Sequence, residues 1–121
     1  MIGGTSQSAI SGDKTQACLG VYDFWIVKID SLGNKIWDKV IGGSGDDRLF
    51  SLETTKDNCF VLSGISDSPV GFFKSQPCQG SYDYWIVKID SVGNKIWDKT
   101  YGGSTSDMCK DLIITIDNGF L

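Results

Sequence analysis

The acidic turn Gly42-Gly43-Ser44-Gly45-Asp46-Asp47 is the first place in this sequence where residue types and spacing could do chemistry. Neighbouring carboxylates in a Gly-rich turn could supply oxygen ligands to a hard cation such as calcium, which takes about six to eight of them. One repeat later the turn reads Gly102-Gly103-Ser104-Thr105-Ser106-Asp107, so Thr105-Ser106 replaces Gly-Asp and only Asp107 keeps its carboxylate. That loss, with no EF-hand or RTX spacing, favours plain turn chemistry in which Asp bonds its own backbone. No metal is expected. Asp46, Asp47 and Asp107 remain as loop positions that could touch a partner.

Catalytic residue types are scarce. Histidine is absent, which removes the commonest general base and a common metal ligand. Glu53 is the sole glutamate, so a carboxylate pair would have to be built from Asp. There is no nucleophile elbow and no phosphate-binding Gly loop opening a helix. The reading is therefore a non-enzyme with no cofactor.

Cys18, Cys59, Cys78 and Cys109 form an even set without CxxC or zinc spacing. Cys18 and Cys78 are repeat equivalents in long loops, and Cys59 lies in a turn at the opposite end. Cys78 with Cys109 is the pairing left open, with free thiols preferred.

A net charge of −4, with Arg48 as the only arginine, argues against a broad nucleic-acid surface. No stretch reaches the roughly 18 apolar residues of a membrane span. Met1 to Gly12 has neither the basic nor the apolar region of a signal peptide.

The elements that must hold these residues repeat. Tyr22–Ser44 and Tyr82–Ser104 are identical at 19 of 23 positions, differing only at 24/84, 32/92, 40/100 and 41/101. The offset of 60 also aligns Gln16, Cys18 and Gly20 with Gln76, Cys78 and Gly80, and Asp57, Asn58 and Phe60 with Asp117, Asn118 and Phe120. Glycines and asparagines fall too often for long helices. Each unit instead predicts four strands: 49–55, 60–65, 84–90 and 95–101. Asp57-Asn58 turns the first pair, and Ser91-Val92-Gly93-Asn94, like its counterpart around Gly33, turns the last. A polar loop over 66–83 joins the middle strands. Trp85-Ile86-Val87 is apolar on both faces, as expected of a sheet covered by neighbours on each side. Four short strands per 60-residue unit predict an all-β chain of two four-stranded antiparallel propeller blades.

The turn at 42–47, Asp57-Asn58 and the strand Phe60 to Gly64 resemble the seven-bladed β-propeller repeat family of bacterial surface and secreted proteins. The WIVKID-x-x-GNKIWDK block is similar to repeats of exported Bacteroidetes-type proteins. Cys59 departs from that pattern, where Gly is preferred. The resemblance implies an extracellular or cell-surface scaffold that binds a protein or glycan. Asp30 to Trp37 is similar, over one hairpin, to the PQQ-type propeller repeat, which implies an enzyme fragment as the alternative. A lectin-like self-assembling propeller is a third reading.

Met1 and Leu121 both align with Val61, so the second strand is expected to be split between the termini of a single segment, units 1–60 and 61–120. Two expectations compete: a fragment of a longer propeller, or chains that associate through open blade faces and strand edges. The recurring Trp25, Trp37, Trp85 and Trp97, with Gly33 and Gly93, are read as structural, the tryptophans packing between blades. Phe72 and Phe73, in the second of the two long loops (Ser6 to Asp23 and Ser66 to Asp83), are read equally as an exposed contact or as a cap over the blade edge.

Overall fold

The computed structural model describes residues 1–78 and 80–102. Among these the chain is all-β, with seven strands and no helix: β1 (Ile2–Ser6), β2 (Asp23–Ile29), β3 (Lys35–Ile41), β4 (Asp47–Thr54), β5 (Phe60–Ser66), β6 (Asp83–Ile89) and β7 (Lys95–Tyr101). They form two antiparallel sheets, β1-β2-β3 and β4-β5-β6-β7. Among the described residues no helix is long and apolar enough to cross a membrane.

The expectation of two four-stranded sheets is met only by the second. Among the described residues its first strand, β4, has no counterpart in the first sheet. The remaining strands match in pairs. β2 and β6 even carry the same register shift against the next strand, at Lys28/Ile29 and Lys88/Ile89. Strand β4 starts two residues earlier than the sequence suggests, because Asp47 and Arg48 already pair with Ser66 and Ile65.

Local chemistry sets the turns. Gly33 and Gly93 take φ of 86° and 91° in the two matching hairpins, which glycine adopts without a Cβ clash. Asp30 and Asp90 close these turns by accepting the backbone N–H of Asn34 and Asn94, both at 2.9 Å. Asn58, at φ 62°, turns β4 into β5.

The core lies between the sheets. Successive side chains of a strand point to opposite faces. The first sheet turns Phe24 and Ile26 inward, whereas the second turns Trp85, Val87 and Ile89 inward; all five are fully buried. Gly3 in β1 lets β4 approach, since a Cβ there would stand 2.7 Å from Leu49 Cδ2 and 2.9 Å from Leu52 Cδ1. The sheets therefore stack face to back, one using the even-numbered face of its repeat and the other the odd-numbered face.

Candidate functional site

Each long loop is locked at its base by a buried lysine. Lys14 Nζ donates to the carbonyls of Ser8 (2.8 Å) and Gln16 (2.6 Å). Lys74 Nζ donates to Gln76 O (2.6 Å) and Thr100 Oγ1 (2.9 Å). Lysine is rarely buried without such partners. The side chains of Gln16 and Gln76 accept the backbone N–H of Val40 and Thr100, both at 2.8 Å, so each loop satisfies an edge-strand donor. Cys18 and Cys78 donate to the carbonyls of Ser6 and Ser66, and Cys18, Cys59 and Cys78 are free thiols.

An aspartate ties each loop to a tryptophan. Asp38 accepts from Trp25 Nε1 (3.1 Å), the Thr15 backbone (2.9 Å) and Lys35 Nζ (3.1 Å). Asp98 accepts from Trp85 Nε1 (3.0 Å), the Ser75 backbone (2.9 Å) and Lys95 Nζ (2.8 Å). Burial pushes both carboxyls up, but these donors outweigh it and hold both below the ordinary range. Of the four tryptophans, Trp85 is fully buried and Trp25, Trp37 and Trp97 are half-buried. A Cβ at Gly93 would stand 3.3 Å from Trp37 Cη2, so the second hairpin seats on the first repeat's tryptophan.

The acidic turn divides into two roles. Asp47 is fully buried; its Oδ2 accepts from Gly43 N and Ser68 Oγ, each at 2.8 Å. Asp23, equally buried, accepts from the backbone N–H groups of Leu19 and Gly20. Burial raises both carboxyls, and Oδ1 of each lacks a hydrogen bond among the described residues. The Asp46 side chain, only 13% exposed, takes a fork of hydrogen bonds from Arg48 (3.1 Å) and one from Tyr82 OH (2.8 Å). That carboxylate pushes the Tyr82 phenol up to about 12. The Arg48 guanidinium also lies 4.5 Å from the Tyr22 ring centroid, so the Arg48–Asp46 pair links the two copies of one repeat tyrosine, Arg48 meeting Tyr22 and Asp46 meeting Tyr82. Among the described residues no three Cys, Asp or Glu side chains are grouped to hold a metal. Asp107, Cys109 and the repeat matches at Asp117, Asn118 and Phe120 lie outside the described residues.

Phe72 and Phe73 part company. Phe73 packs against the core, and Lys39 Nζ lies 5.7 Å from its ring centroid. Phe72 is 67% exposed at φ 50°. Its repeat equivalent is Gly12 at φ 54°. An open depression of about 580 Å³ runs between the two loops, lined by Gln16, Ala17, Leu19, Lys39, Val40 and Phe73.

Sequence reasoning missed Lys14, Lys74, Asp38 and Asp98. The signal was present, since each pair stands 60 residues apart like the tryptophans. Charged residues in polar surroundings read as solvated, so their burial went unseen. No protein-family model matches this sequence, and no curated protein matches it.

Proposed function

We propose that this chain is a non-enzymatic β-propeller repeat module of an exported or cell-surface protein, a rigid scaffold whose loop tips meet a protein or glycan partner. The propeller part of this reading draws support from the near-identical repeats and from the face-to-back stacking of their sheets, as consecutive blades stack. The step from such a fold to binding is analogy, so it needs a site.

Phe72 carries the binding part. The second repeat keeps the left-handed backbone of Gly12 yet places a bulky, exposed side chain on it. A non-glycine residue there costs roughly 1–2 kcal/mol, and such strain concentrates at contact sites. The strained ring does not serve the fold, because Phe73 fills the neighbouring core position. Exposed Val70 and, in the other loop, Ile10 add apolar surface to the tips.

The test is Phe72→Gly, which restores the residue of the first copy. Urea unfolding is expected to give stability equal to or above that of the unaltered protein, and binding on a glycan array is expected to vanish. A loss of more than about 1 kcal/mol would make Phe72 a packing residue and overturn the reading.

A further inference from the structure

The segment Trp-Ile-Val-Lys-Ile-Asp occurs twice, at 25–30 and 85–90. In the second copy Trp85, Val87 and Ile89 are fully buried, because the first sheet covers them. In the first copy Trp25, Val27 and Ile29 are only half-buried. The reverse holds on the other faces. Phe24 and Ile26 are fully buried, whereas their equivalents Tyr84 and Ile86 are exposed and half-buried. Tyr101 is 54% exposed where Ile41 is fully buried. Val61 and Ile65, on the same face of β5, are buried, so among the described residues the exposed part of that face lies on β6 and β7.

We infer that a second copy of this chain docks its Tyr84–Ile86 face onto the Trp25–Val27 face of the first, repeating between chains the contact that already joins the two sheets within one. The internal interface is the template. It places an aromatic and an isoleucine of one repeat against the tryptophan and valine of the next, with Phe24 and Trp85 ring centroids 5.0 Å apart. Along β2 and β6 the two uncovered faces present the same residues with Tyr84 for Phe24, while Tyr101 stands where the template has Ile41 and the Trp25 sheet has no equivalent of β4 among the described residues. Because the two docking faces differ, the contact is head to tail. It propagates until the rotation closes a ring. This inference rests on packing alone and is independent of what the loop tips bind.

Light scattering across a dilution series tests it, with two variants. Val27→Lys blocks one face and Ile86→Lys the other; both positions are half-buried, and circular dichroism checks that each variant folds. The unaltered protein is expected at a whole multiple of 13.2 kDa. Each variant alone is expected as a monomer. An equimolar mixture is expected at twice the chain mass, since each variant keeps the face the other lacks. The inference fails if the unaltered protein is monomeric throughout. It also fails if either variant assembles like the unaltered protein, or if the mixture stays monomeric.

Discussion

The rings of Phe24 and Trp85 stand 5.0 Å apart, tilted by 42°, and they come from opposite faces of equivalent strands. Phe24 aligns with Tyr84, and Trp85 aligns with Trp25. The contact thus joins unlike positions of the repeat. It makes the tryptophan of the second copy a core residue and leaves that of the first half-covered.

Trp85→Ala is accordingly expected to cost about 3–5 kcal/mol, the usual range for a large aromatic removed from a packed core. Trp25→Ala is expected to cost no more than about half as much, because part of its surface is already in water. Urea denaturation of both variants checks the order, and equal losses would contradict the one-sided burial.

Asp98→Ala removes the acceptor for Trp85 Nε1, the Ser75 backbone and Lys95. Trp85 Nε1 is the buried donor of the three, since Ser75 and Lys95 are exposed and can turn to water, and one buried donor left unpaired costs roughly 1–3 kcal/mol, so a loss in that range is expected. Asp98→Asn keeps part of the acceptor set and is expected to fall between. A far-ultraviolet thermal melt reads both.

The buried aspartates predict a stability optimum on the acid side of neutral. Asp23 and Asp47 have carboxyls raised above the ordinary 3.8 by burial, so their unfavourable ionisation is relieved as pH falls from neutral through those raised values. Asp38 and Asp98 are lowered, so the stability they contribute is present above about 3.8 and is lost as pH falls below it. The thermal midpoint is expected to rise from neutral pH toward mildly acidic pH, then to drop. Asp47→Asn is expected to flatten the rise and leave the drop in place.

Gly64 faces the irregular pairing in β4. A Cβ there would lie 1.8 Å from the carbonyl oxygen of Arg48, and backbone cannot swing aside as a side chain can. Gly64→Ala is expected to cost about 3 kcal/mol or more. Gly3→Ala meets only the leucine side chains of β4 and is expected to cost about 1–2 kcal/mol. Chemical denaturation of the pair distinguishes a backbone conflict from a packing one.

Much of the fold was legible from local chemistry. The hairpins at Gly33 and Gly93 and the turn at Asn58 sit where the turn residues put them, since only a few residue types accept a positive φ cheaply. The loop bases were harder to read. Lys14 and Lys74 look like solvated charges in sequence, and only the oxygens gathered around each ammonium, two carbonyls for Lys14 and a carbonyl and a hydroxyl for Lys74, make burial tolerable. The acidic turn was half legible: Asp46 stays in the turn and pairs with Arg48, but Asp47 is the first residue of a strand and is sealed by Ser68 from the following loop.

The sequence by itself determined the strands, their hairpins and the 60-residue spacing, because turn geometry and side-chain alternation act over a few residues. It could not determine which face of Trp-Ile-Val-Lys-Ile-Asp is buried, because the same six residues occur in both copies with opposite outcomes. No local property can separate two identical segments. Only the stacking of the first sheet onto the second decides it: Trp85, Val87 and Ile89 are removed from water by a neighbouring sheet that Trp25, Val27 and Ile29 lack among the described residues.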